Sequence, residues 1–281
     1  MTRARWWVCR TAGRIGVGIA MLLAVYAPLG LAAQSRPSPR PSTRPAQPVA
    51  VPAADMPSAL TLAARHDSLV GGRAVLAGLT SLKFLGSFSV PSAGIEAPLE
   101  ILKRSPNQFV YRTVLGEGVE VVQGYDGRIA WSIRPGQGAR VLDGEERDQI
   151  VQQADFFGDL HDYSRFASAE TTGAIEFEGR PAWEVRLVRP AGDTLYEFFD
   201  RETGLAAGGA VDVRTGLGRE RRRTLLGDYK VFGQLRIATT IIQRQPDFDI
   251  IIRIAFVEVD TVREMEVALP DAVRALVTKP Q

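Results

Sequence analysis

DTLYEFFDRETGL, residues 193–205, is the stretch that decides how this chain is read. Side chains of an extended segment alternate with a period of two, so Tyr196 and Phe198 fall on one side while Leu195, Glu197 and Phe199 fall on the other. Glu202-Thr203-Gly204 then forms a tight turn, with the glycine free to take the positive φ that a hairpin needs. GYDGRIAWSIRP at 124–135 repeats the scheme. Its turn is Asp126-Gly127, and Ile129, Trp131 and Ile133 share one face. Two such hairpins predict a meandering antiparallel sheet with one apolar side.

The alternation runs through most of the chain. Leu82, Phe84, Phe88 and Val90 share a face, as do Ile95, Ala97, Leu99 and Ile101, and then Phe109, Tyr111, Thr113 and Leu115. Lys83, Glu96, Glu100 and Arg112 lie opposite, toward water. Further strands are expected over 174–178, 182–188, 194–199, 205–214, 220–229, 235–244 and 250–259. Ser58 caps an amphipathic helix that Gly71-Gly72 ends, and a short second helical stretch follows at 74–78. The meander is interrupted once, by 143–166. There Ile150, Val151, Ala154, Phe157 and Leu160 recur at helical spacing, which predicts a helix or a helix pair broken at Gly158. A last short helix is expected in 270–281. Together these elements predict an α+β fold: a strongly curved antiparallel sheet of about eleven strands, a half-barrel, wrapped over the N-terminal helix and the mid-chain helical insertion. A membrane barrel also alternates, but it has no place for the insertion.

The N-terminus sets the compartment. Arg3, Arg5, Arg10 and Arg14 form a basic region, 15–31 is an apolar run, and Leu31-Ala32-Ala33 offers a small-residue cleavage site. Residues 1–33 therefore read as a secretory signal peptide. An uncleaved anchor needs about twenty apolar residues, and this run is shorter and broken by Pro28 and Gly30. Residues 34–57, with Pro37, Pro39, Pro41, Pro45 and Pro48, read as an extended linker that cannot build a core. The folded domain is placed at 58–281, and periplasmic export is the expectation.

Composition narrows the chemistry. The chain has 281 residues, 45% of them hydrophobic, which supports one real core beyond the leader. Its formal charge is +2, and losing the four leader arginines takes it to about −2. The densest basic run, Arg219-Glu220-Arg221-Arg222-Arg223, is interrupted by an acid and reads as a solvated strand face, so nucleic acid is not an expected partner. Cys9 is the only cysteine and lies in the leader. Disulfides, thiolate metal sites and cysteine nucleophiles are thereby excluded from the mature chain. His66 and His161 show no metal-ligand spacing, and His161 beside Asp159 and Asp162 reads as a surface cluster. No G-x-S-x-G nucleophile motif accompanies them, so no catalytic residue, metal or cofactor is assigned.

One set of residues remains as a candidate site. Phe84, Phe109, Tyr111, Trp131, Trp183, Tyr196 and Phe198 are large and apolar, as the lining of a hydrophobic cavity would be. Each can equally be ordinary core against the helices.

The order of pieces resembles the LolA/LolB-like superfamily, in particular its periplasmic outer membrane lipoprotein-sorting branch. The matching residues are Leu69-Val70-Gly71-Gly72 with Leu79-Thr80-Ser81-Leu82 after it, Tyr125-Asp126-Gly127 with Trp131 and Pro135, Gly179 before Trp183, the segment 196–205, and Asp228-Tyr229 followed by Gly233. Ile237 stands where the family usually has a proline. The resemblance implies the half-barrel and a carrier that shelters acyl chains of lipidated proteins on its concave face.

Three classes of function follow. The first is a non-enzymatic periplasmic carrier or binder of hydrophobic ligands, either lipoprotein acyl chains or lipids. The second is a solidly packed interaction module that docks another envelope protein. The third, a secreted hydrolase, is disfavoured by the missing nucleophile motif. A monomer is expected.

Overall fold

A computed structural model describes residues 55–156, 161–190, 192–215, 218–245 and 247–278. The leader, residues 34–54 of the linker, and the helix break at Gly158 with Asp159 lie outside them.

Two helices open the domain, α1 (Ala59–Leu69) and α2 (Arg73–Gly78). Ser58 caps α1, its Oγ accepting from the Thr61 amide at 3.1 Å, which satisfies one of the donors that every helix start leaves open. A meander of six strands follows: β1 (Ser81–Val90), β2 (Ile95–Arg104), β3 (Gln108–Leu115), β4 (Val119–Tyr125), β5 (Ala130–Arg134) and β6 (Gly138–Val141). Helix α3 (Gly144–Ala154) leads to the second meander: β7 (Ser168–Phe177), β8 (Arg180–Val188), β9 (Thr194–Asp200), β10 (Ala206–Thr215), β11 (Gly218–Phe232), β12 (Leu235–Arg244) and β13 (Asp249–Val259). Helix α4 (Asp271–Val277) ends the described chain.

The sheet is a single open half-barrel of 13 antiparallel strands, in the order β6-β5-β4-β3-β2-β1-β13-β12-β11-β10-β9-β8-β7. The expected half-barrel is thus observed, with 13 strands where about eleven were expected. Strand β6, a four-residue edge strand with a glycine, shows no alternation to read. The meanders join through β1 and β13, where Leu82 pairs with Val259 and Phe88 with Ile252. Strands β6 and β7 are consecutive in the chain yet lie at opposite edges of the sheet. The segment between them must therefore cross the half-barrel from rim to rim. Its described part α3 lies on the inner face against β3, β4 and β5, while α1 covers the far end beside β7.

Alternation decides which side chains meet that roof. On the inner face Phe84, Ile101, Phe109, Tyr111, Ile241 and Ile252 form one core with Ile150 and Ala154 of α3. Leu62 and Ala63 of α1 pack with Val185, Leu187, Leu195 and Phe199 in a second. The outer face of β2–β5 is covered as well, because Val262, Val267 and Val273 of the C-terminal segment pack on Leu102, Val110 and Trp131. Among the described residues, no helix is long and apolar enough to cross a membrane.

Candidate functional site

The inner face is the candidate site, and register places each of its residues. Phe84 pairs with Ile101, Ile101 with Tyr111, and Phe109 with Tyr125, so Phe84, Phe109 and Tyr111 share that face. Trp183 pairs with Phe199 and joins them on the inner side at the α1 end, with the Arg201 guanidinium 4.6 Å above its ring. Phe84, Phe109 and Tyr111 are all buried in the roofed core.

Trp131, Tyr196 and Phe198 lie on the outer face, which separates them from the other four. Trp131 pairs with Gly124, and Val110 pairs with Gly124 on its other side, so all three sit beneath the C-terminal segment. Phe198 stacks on Phe177 at 4.0 Å between ring centroids, and the Arg221 guanidinium lies 4.0 Å over Tyr196. The physical reason is that β4, β5 and β9 bury apolar residues on both faces. A strand buried on both sides shows no polar face to orient the pattern.

Histidine placement also departs from the sequence reading. His161 is not a surface residue: its side chain is 13% exposed, with Nδ1 2.8 Å from Asp67 Oδ1 and Nε2 3.8 Å from Glu197 Oε2. Its ring meets that of His66 edge-on, 4.9 Å between centroids. His66 Nδ1 accepts the Ala206 amide at 3.0 Å, so a neutral ring carries its proton on Nε2. Arg73 adds a bond to Asp67 Oδ2 at 3.2 Å and one to the His161 carbonyl at 2.9 Å. Tyr163 donates to Glu197 Oε2. The cluster therefore ties α1, α2 and the segment returning from α3 to β9 and β10.

The electrostatics follow from burial. Desolvation, aided by the His161 charge, lowers His66 from 6.5 to about 3. Burial pushes Asp67 up, but the hydrogen bond and charge of His161, with Arg73, outweigh it and hold the carboxyl below its ordinary value. Burial and the Glu197 charge raise the Tyr163 phenol far above 10, which keeps it a neutral donor. Both nitrogens of His161 face carboxylates. A general base of the serine-hydrolase kind instead turns one nitrogen to a hydroxyl. The arrangement is a charged clamp on the roof. Among the described residues, no group of three His, Cys, Asp or Glu could hold a metal ion.

One signal for this cluster stood in the sequence. His66 and Asp67 fall four residues after Leu62 and Ala63, on the same helical stripe, and all four are buried.

Among solved structures, the chain is similar to a LolA superfamily protein from Nitrosomonas europaea, with a TM-score of 0.51 and 7% identity over 76% of this chain and 99% of that one. It is also similar to a DUF1329 family protein from Desulfovibrio piger, with a TM-score of 0.50 and 10% identity over 72% and 92%. The sequence matches no protein-family model and no curated protein. At such identities the likeness is one of fold.

Proposed function

We propose that the protein is a non-enzymatic carrier of hydrophobic ligands, lipoprotein acyl chains or lipids, which it holds on the inner face of the half-barrel. The observation that carries this reading is the division of labour in the core. The broad apolar face belongs to the sheet, and it is covered by short helices and a crossing segment, not by a second sheet. The strand hydrogen bonds do not run through this cover, so an acyl chain in place of the helix side chains would leave the sheet intact. The likeness in fold to a LolA superfamily protein supports the same reading.

The leader at 1–33 and the linker at 34–57 would deliver the domain, 58–281, to the periplasm as a monomer, with no role for nucleic acid. A second reading has its own support. Ile101, Phe109, Ile150 and Ile241 are 0% exposed, as in a filled core, and a filled half-barrel would serve as an interaction module for an envelope protein.

Purified mature protein, extracted with organic solvent and examined by mass spectrometry, distinguishes the two. The carrier is expected to release co-purified lipid and to bind a fluorescent fatty-acid probe. Lipid-free protein that binds no probe overturns the carrier reading in favour of the module.

A further inference from the structure

The inner face is not uniformly apolar. Gln123, Ser132 and Gln153 are only 2%, 1% and 7% exposed. Gln123 and Ser132 are cross-strand partners on β4 and β5, and Gln123 pairs on its other side with Tyr111, so both belong to the inner face. Gln153 is on the buried stripe of α3 with Ile150 and Ala154, and α3 lies against β3, β4 and β5. Gln123 Oε1, Ser132 Oγ and Gln153 Oε1 have no hydrogen-bond partner among the described residues.

Two other polar groups nearby are satisfied from within. Thr113 Oγ1 donates to the Pro98 carbonyl at 2.8 Å, and Lys103 Nζ donates to the Asp155 carbonyl at 3.2 Å at the end of α3. Buried polar atoms are nearly always paired, so three unpaired oxygens in the layer between one helix and two strands need a partner. A glutamine carbonyl oxygen only accepts, and a serine hydroxyl can accept too. The complementary group is therefore a donor.

We propose that this layer is a polar subsite for an O–H or N–H group carried beside the acyl chain of the ligand; this rests on the carrier reading above. An acyl ligand ending only in acceptors could accept from the Ser132 hydroxyl but would leave both glutamine oxygens unpaired, so the subsite selects among chains of equal length. Two sources offer the donor, a glycerol hydroxyl of an acylglycerol and the amide N–H of an N-acylated peptide.

Three probes separate the cases in competition against a fluorescent fatty acid, using the mature protein: 1-palmitoylglycerol, N-palmitoylglycine methyl ester and methyl palmitate. At least one donor-bearing probe is expected to bind about tenfold more tightly than methyl palmitate, and the better of the two identifies the source. Gln123→Leu and Ser132→Ala should each reduce that preference about threefold or more. Their ligand-free melting temperatures should hold or rise, because an unpaired buried oxygen has been removed. Equal affinity of the wild type for all three probes overturns the subsite alone, and that comparison needs no variant to fold. A preference that survives in folded variants also overturns it. Failure of all three probes to bind overturns the carrier reading itself.

Discussion

His161 Nδ1 sits 2.8 Å from Asp67 Oδ1 across 94 positions of chain, so one buried contact fastens α1 to the segment that returns from α3. Removing the acceptor leaves His161 facing a void and Arg73 without its carboxylate. Asp67→Ala is expected to lower stability by about 1–3 kcal/mol, the range for leaving a part-buried polar group without its partner. Asp67→Asn keeps a polar partner and should recover part of the loss. Urea unfolding of both variants checks this, and an unchanged midpoint for Asp67→Ala would show that the contact contributes nothing.

The same cluster gives a pH dependence with a definite sign. His66 is held near 3 in the folded protein and titrates at 6.5 when unfolded, so between those values the unfolded chain binds the extra proton. Stability should therefore fall as pH drops from above 6.5 toward 3, by up to about 1.4 kcal/mol per pH unit from this residue. Asp67 is shifted below its ordinary value and acts at the acid end, its contribution being lost as pH falls through its folded pKa. His66→Asn should flatten the dependence between pH 6.5 and 4 while lowering stability at neutral pH. A thermal-melt series with identical slopes in both proteins would refute the assignment.

The fold was legible because period-two alternation survives wherever one face meets water, as in β1 and β2, where Lys83 and Glu100 form an ion pair at 3.5 Å opposite Phe84 and Ile101. It misled wherever both faces are covered. Trp131 lies in a run as apolar as the inner face because Val267 and Val273 arrive from the far end of the chain to cover it. Nothing local to β5 announces that cover. The clamp was hidden for a related reason. His66 and His161 are brought together only by the crossing between the edge strands, and a contact across 95 positions that depends on the whole sheet forming leaves no spacing between the two histidines to read.

Gly124 offers a sharp test of the outer face. A Cβ built there would stand 2.8 Å from Trp131 Cζ2 and 2.5 Å from the Phe109 carbonyl oxygen, so Trp131 lies directly over the glycine. Gly124→Ala should destabilise by about 1–3 kcal/mol, because the indole and the backbone beside it must both give way. Chemical denaturation measures it. A variant as stable as the parent would mean that Trp131 does not occupy this position in solution.

Stability and binding should also separate by face. Trp131 is fully buried under the C-terminal segment on the outer side, so Trp131→Ala should cost about 3–5 kcal/mol, as large-to-small core changes do. In whatever fraction remains folded, affinity for a fluorescent fatty-acid probe should stay within about twofold, since no ligand on the inner face touches Trp131. Leu76 of α2 is only partly buried and packs on the inner core from the roof. Leu76→Glu places a charge where an acyl chain would pass, and it should lose probe affinity by about tenfold or more with a smaller change in melting temperature. Paired titrations and melts on the two variants give both quantities. Loss of binding in Trp131→Ala at unchanged stability would move the site to the outer face, because a core residue that only supports the sheet cannot lower affinity without first lowering the folded population.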